Sequence, residues 1–304
     1  MANLTLLPYA AYKDSGVEWL GQVPEHWESH KISQSFKQIG SGTTPKSGID
    51  SYYDDGTINW INTGDLNDGL LLSCKRKISL QALKEHSLTI YPINSLIIAM
   101  YGATIGKVAI SKIKGCTNQA CCVLHNSRTI NIPFLFYWFL SRKSLLISLS
   151  YGGGQPNISQ DTLKNLRFFA PSITEQTAIA NYLDQKTAQI DQEITLLSKK
   201  AELYASLKQS LINETVTRGL DKNVRLKDSG VEWLGQVPEH WEIKRLKELA
   251  VIQNSNVDKK SYEHETPVKL CNYVDVYKND FIHPNLNLMD ATADKEEIKK
   301  FQLK

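Results

Sequence analysis

No run of apolar residues in this 304-residue sequence approaches the ~18 needed for a bilayer-crossing helix, and the opening MANLTLLPYAAYKDSG lacks the basic start and cleavage region of a signal peptide. A cytoplasmic protein with no membrane partner is therefore expected. Cysteine is scarce: Cys74, Cys116, Cys121, Cys122 and Cys271 form no CxxC pair, and an odd count suits reduced thiols better than a disulfide framework. Paired-histidine metal motifs, a GxSxG elbow and dense His and carboxylate clusters are also missing, so neither metal ligands nor catalytic residues are assigned.

Three glycine-rich stretches imitate nucleotide loops and fail on inspection. GATIGK, Gly102 to Lys107, has three residues between its glycines instead of four, and Val108 stands where a metal-binding Ser or Thr belongs. GSGTTPKS, Gly40 to Ser47, has the length, but Pro45 replaces the second glycine and removes a backbone donor that a phosphate cradle needs. GGGQPN, Gly152 to Asn157, is not GxGxxG and follows no clear strand of a βαβ unit. No cofactor is expected in this chain.

What is present is unevenly distributed. The net charge is +3, yet residues 29–173 carry 15 Lys and Arg against 7 acids, whereas the segments on either side are acidic and the last stretch is neutral. A local balance of +8 suits a phosphate-bearing partner; on charge alone, a solvated basic surface without a partner stays open. The length allows about two domains at ~100 to 200 residues each.

Residues 174–217 contain no Pro or Gly, and Gly219 supplies a stop, which predicts one helix of about 44 residues. Leu183, Ile190, Leu197, Tyr204 and Leu211 recur every seven residues, with Thr187, Ile194 and Ala201 between them. That is a coiled-coil seam; the plainer alternative is a long core helix of one globular domain. The preceding basic segment instead has short β-branched runs, TINWINTG, SLIIAMYG and KVAISKI, separated by the turn-rich GSGTTPKSG, DLNDG and YGGGQPN. One helix is expected among them, INIPFLFYWFLSRKSLLISL, with Pro133 in its first turn. The fold class is α+β.

The sixteen residues KDSGVEWLGQVPEHWE at 13–28 return unchanged at 227–242. Together with GSGTTPKSG, INWINTGDL, YGATIGKVAI, TNQACCVL, GGGQPNISQDTLKNL and PSITEQTAIANYLDQKTAQID running into a helix that ends in VTRGL, they cover residues 13–242. In order and spacing the chain resembles the DNA-specificity subunit of a type I restriction-modification system. The resemblance implies an entry segment at 1–28, a first target-recognition domain at 29–173, a long coiled-coil spacer helix at 174–218, and a repeat of the entry segment opening a second recognition domain at 219–304. It implies double-stranded DNA, methyltransferase subunits and a restriction subunit as partners. S-adenosylmethionine and ATP would belong to those subunits, with this chain supplying the address. A DNA methyltransferase acting alone would need an NPPF-like or DPPY-like motif; HPNL at 283–286 is the nearest string and is not close. A coiled-coil protein without a DNA role would leave the +8 segment and its loops without a purpose.

After Glu242 the second unit follows the first only part way, so an incomplete second recognition domain with loose packing is expected. Either the sequence stops inside a longer product, or a second copy supplies the partner helix for the seam. A homodimer through residues 174–217, packed antiparallel, is expected on the second alternative.

If the first domain reads DNA, its candidate contacts are Thr43, Thr44, Lys46 and Ser47 on the first loop, Tyr52 and Tyr53 beyond it, the triplet Lys75, Arg76 and Lys77, Lys107 after the second glycine-rich turn, and Gln155 and Asn157. The aromatic members have turn or core packing as their alternative, and the triplet a merely solvated face.

Overall fold

The computed structural model describes residues 8–17, 19–151, 156–257, 259–283 and 285–302, and its centre is the apolar run Leu96–Ala99. That strand pairs antiparallel with Cys121–His125 on one side and with Val108–Ser111 on the other. Gln38–Gly40 joins the first of these antiparallel, and Gly69–Leu71 joins the second parallel, closing a mixed five-stranded sheet. The three central strands are buried almost throughout because both faces are covered, and the period of two sorts their side chains. Leu96, Ile98, Val108, Ile110, Cys122 and Leu124 point into one cluster, with Phe134, Leu135, Phe139 and Phe168. Ile97, Ala99, Ala109, Cys121 and Val123 point into the other, with Ile61, Leu66, Leu71 and Tyr91.

A smaller sheet, Cys116–Thr117 parallel to Ile58–Ile61 and Lys77–Ile78 antiparallel to it, carries a third cluster of Tyr52, Trp60, Ile78, Ala82 and Cys116. Helices and mixed sheets together make the expected α+β fold. The apolar helix predicted over 130–149 forms as two, Ile132–Ser141 and Lys143–Ser148. Arg142 breaks it with φ −113° and ψ 19°, and its guanidinium lies 5.0 Å from the Trp19 ring centroid. A distant aromatic partner thus stands at a break that local propensity does not mark.

Burial pushes the thiol of Cys116 up to about 11 and that of Cys122 up to about 12, and raises Cys121 as well, so these cysteines are neutral core residues. All five cysteines are free thiols. Among the described residues no group of three His, Cys, Asp or Glu is placed to hold a metal, and no helix is long and apolar enough to cross a membrane.

The long helix spans Ile173–Arg218, 46 residues or about 69 Å. It starts at Ser172, whose hydroxyl accepts from Glu175 N, and ends at Gly219, whose φ of +78° only glycine adopts cheaply. Its first turns are pinned to the domain. Gln176, 1% exposed, accepts from Asn131 N and donates to Thr129 O and Pro171 O, while Tyr137 donates to Asp184 at 2.7 Å. Glu175 accepts from Tyr9 Oη and faces His26 Nε2 at 2.9 Å. Its partial burial raises the carboxyl's pKa, the hydrogen bonds from Tyr9 and His26 outweigh that, and the net shift is downward. Partial burial and then the Glu175 carboxylate push Tyr9 up to about 12.

Two compact units divide the chain, Met1–Ala201 and Glu202–Lys304. In the second, Val237, Ala291 and Ala293 are the buried apolar residues among those described, so its core is sparse. The repeated sixteen residues fold alike in both units. Tyr12–Asp14 pairs with Gln22–Pro24 as Leu226–Asp228 pairs with Gln236–Pro238, and Asp14 and Asp228 each accept from the glycine two residues on at 2.9 Å. An identical local sequence gives an identical hairpin.

Candidate nucleic-acid interface

The loop after Gln38–Gly40 is held from four directions. Gly42 N donates to Asn118 O at 3.2 Å, Trp60 Nε1 to Thr43 O at 3.2 Å, Tyr53 Oη to Pro45 O at 2.6 Å, and Thr44 Oγ1 to Gln119 Oε1 at 2.6 Å. These bonds bury Pro45 and leave Thr43, Thr44, Lys46 and Ser47 exposed. Gly42 is required by proximity: a Cβ there would lie 1.5 Å from Thr117 O. Gly42→Ala is expected to displace the loop and destabilise the first unit by about 1 to 3 kcal/mol in denaturant unfolding. Gly64→Ala, where nothing lies within 4 Å, is the control.

The basic triplet joins the same place through the smaller sheet. Trp60 N donates to Arg76 O at 3.0 Å, and Lys77 pairs with Asn59 so that Ile78 points into the core while Lys77 stays in solvent. Lys75 N donates to Asp65 Oδ1 at 3.1 Å, and Asp65 Oδ2 accepts from Asn62 N at 2.9 Å. The result is an open hollow of about 420 Å³ lined by Thr44, Ser47, Gly48, Tyr53, Trp60, Arg76 and Lys77. Two positive charges, three hydroxyls and a loop backbone thus surround one depression, the kind of donor set that phosphate oxygens accept from.

A second pair of segments meets at the same end of the five-stranded sheet. Lys107, half-buried, follows the turn Gly102–Thr104, where Gly102 N donates to Pro156 O at 2.9 Å. Asn157 is half-buried, and its backbone bridges to both Tyr101 and Tyr151. Met100 N donates to Ala120 O at 2.8 Å, so Tyr101 and Gln119 are the next residues on neighbouring chains. Four stretches far apart in sequence, GSGTTPKS, TNQA, YGATIGK and the end of GGGQPN, are therefore linked by backbone or side-chain hydrogen bonds.

Not every expected contact faces solvent. Tyr52 is buried and donates to Glu85, an arrangement that lowers the Glu85 pKa and raises that of Tyr52, so it supports the loop from behind and leaves the candidate contact set. Tyr53 is half-buried and committed to Pro45 O; it lines the hollow as a wall. Gln155 lies outside the described residues. Conversely, Gln119 and Tyr101 are exposed at the convergence and were not singled out from the sequence, although both stand inside quoted motifs. The signal that finds them is the strand register, which places Gln119 beside the first loop and Tyr101 next to Met100, whose N–H donates to Ala120 O.

A family model described as the type I restriction modification DNA specificity domain matches residues 24–199, more than half of the chain. The chain belongs to that family. It is similar to the type I restriction enzyme MjaVIII specificity subunit of Methanocaldococcus jannaschii, 26% identical over 249 residues, which cover 82% of this chain and 55% of the relative. Similarity to the type I restriction enzyme EcoR124I/EcoR124II specificity subunit of Escherichia coli is 26% over 211 residues, 65% of this chain and 49% of that one. This member of the specificity family thus spans about half the length of the curated relatives it matches. A solved chain from a study of complex assembly and conformational transition of the type I R-M system superposes with a TM-score of 0.53 at 16% identity, over 67% of this chain and 48% of its own, so the two share a fold.

Proposed function

We propose that this chain reads DNA sequence for a type I restriction-modification complex, directing adenine methylation and restriction by partner methyltransferase and restriction subunits to a bipartite target while catalysing neither. The observation that carries this reading is the convergence of the four loops on one end of a sheet within the +8 segment, next to the hollow formed with Arg76 and Lys77. Backbone phosphates would be held by Lys75, Arg76, Lys77, Lys46 and the Ser47 hydroxyl, which sets register; exposed polar side chains beside them would meet base edges. In this reading residues 29–173 are the target-recognition domain, 174–218 the spacer helix, and 219–304 begin a second recognition domain.

The seam supports a further part of the proposal, a homodimer through residues 174–217. Ile190, Ile194, Leu197, Tyr204 and Leu211 are between 54% and 64% exposed, and Leu183 is half-buried near the domain, so the seam presents itself to a partner along most of its length. Methyltransferase subunits would dock on the same stalk.

The deciding measurement is binding of the full chain to duplex DNA across a salt series. A steep linear fall of log affinity with log salt, plus recovery of one motif from a randomised duplex pool, is expected. Absence of binding at 50 mM salt on the order of physiological pH, or a flat salt response, would overturn the proposal.

A further inference from the structure

Gln119 stands on a backbone that is almost fully committed. Asn118 N donates to Ile61 O at 3.1 Å, Asn118 O accepts from Gly42 N at 3.2 Å, Ala120 N donates to Asn118 Oδ1 at 3.2 Å, and Ala120 O accepts from Met100 N at 2.8 Å. These bonds tie it to the strand Ile58–Ile61, the first loop and the end of the central strand at once. The side chain itself is exposed. Among the described residues its Oε1 accepts from Thr44 Oγ1 at 2.6 Å, a bond between two solvent-facing residues 75 apart in sequence. Thr44 also lines the basic hollow with Arg76 and Lys77, so the amide lies one hydrogen bond from that hollow.

A glutamine amide so held has a specific vacancy pattern. The carbonyl oxygen has two lone pairs and Thr44 uses one, which leaves a second lone pair and two amide hydrogens on an exposed side chain for a ligand to engage. An acceptor beside a donor, coplanar and a fixed distance apart, complements a base edge that offers a donor beside an acceptor. In the major groove that edge is adenine, through N6–H and N7; guanine offers two acceptors there and cytosine a donor alone. We infer that Gln119 is a specificity-determining residue of this domain, reading an adenine in the major groove, and that Thr44 is a positioning residue that turns the amide by holding its oxygen. This rests on the DNA-reading function proposed above and deepens it.

The experiment is motif selection from a randomised duplex pool by the full-length wild type, Gln119→Ala and Gln119→Glu, followed by affinity measurement on the wild-type motif with each adenine in turn replaced by 7-deazaadenine, which lacks the N7 acceptor. Wild type is expected to lose about 5- to 150-fold at one adenine when N7 is removed. Gln119→Ala is expected to bind the motif that much more weakly, to accept other bases at that position, and to be indifferent to 7-deazaadenine there, with unchanged salt slope. Thr44→Val should reproduce part of that loss, and Thr44→Ser should restore it, since the serine hydroxyl can hold the same oxygen; a Thr44→Ser variant as weak as Thr44→Val would end the positioning role. A wild type that selects no motif overturns the DNA-reading function and this assignment together. A selective wild type whose motif survives Gln119→Ala unchanged, or whose 7-deazaadenine penalty persists in that variant, overturns this assignment alone. Glu at 119 keeps size but has no donor for N7, so its selection should shift toward cytosine, whose N4–H donates; a variant that keeps the wild-type adenine would count against the amide geometry.

Discussion

Replacing Lys75, Arg76 and Lys77 together by alanine is expected to weaken binding to every duplex and to flatten its salt dependence. Each phosphate neutralised adds about 0.9 to the slope of log affinity against log salt, so three lost contacts lower it by about 2.7. Between 50 and 200 mM salt this difference alone amounts to about 40-fold in affinity. The geometry motivates the choice. Arg76 and Lys77 line the hollow with Thr44, Ser47 and Gly48, and the Lys75 backbone is held beside them by the hydrogen bond its N–H donates to Asp65 Oδ1. All three side chains are exposed, and their substitution removes no buried contact. The folded first unit should therefore keep its thermal midpoint while its affinity falls on cognate and random duplexes alike. That uniform loss separates phosphate contacts from base readers, whose removal changes preference and leaves the slope alone. An unchanged salt slope in the triple variant would remove these residues from the contact surface.

The long helix was legible because its information is local: Leu183 to Leu211 repeat every seven residues, and nothing but Gly219 interrupts. The central strand was legible for a similar reason, since LIIA reads as a continuous apolar run and is buried on both faces. The first loop could be named from its turn residues. What it touches could not be, because Gly42–Asn118, Trp60–Thr43 and Thr44–Gln119 depend on strand order and register, which composition does not carry. Gln119 went unnoticed for that reason: it is an ordinary polar letter until the register sets it beside Thr44. The break at Arg142 was missed likewise, since the Trp19 ring that its guanidinium covers belongs to the entry segment. Tyr52 was a candidate contact by its place just beyond the first loop, with core or turn packing as the alternative; the third cluster and Glu85 claim it for the core.

The same helix supplies the last expectation. Its first half, residues 173–195, carries Glu175, Asp184, Asp191 and Glu193 against Lys186, and its second half, residues 196–218, carries Lys199, Lys200, Lys208 and Arg218 against Glu202 and Glu214. Two copies packed antiparallel set an acidic half against a basic half along both sides of the seam; a parallel pair would set like against like. The hydrophobic spacing agrees with the antiparallel choice, because with the two-fold axis at Leu197, Ile190 meets Tyr204 and Leu183 meets Leu211. Burying an apolar side chain of this size stabilises by about 1.5 to 3 kcal/mol, so Ile190 and Leu197 from two chains together contribute about 6 to 12 kcal/mol. A micromolar dimer is held by about 8 kcal/mol. Changing Ile190 and Leu197 together to Glu is therefore expected to leave a monomer in sedimentation at about 10 μM, where the proposal expects the wild type to sediment as a dimer. The first unit should stay folded, since both positions lie well past the Tyr137–Asp184 and Gln176 contacts that pin the helix to it. Wild-type chain that sediments as a monomer with and without DNA would end the proposal, and a dimer that survives the double substitution would move the contact off this seam.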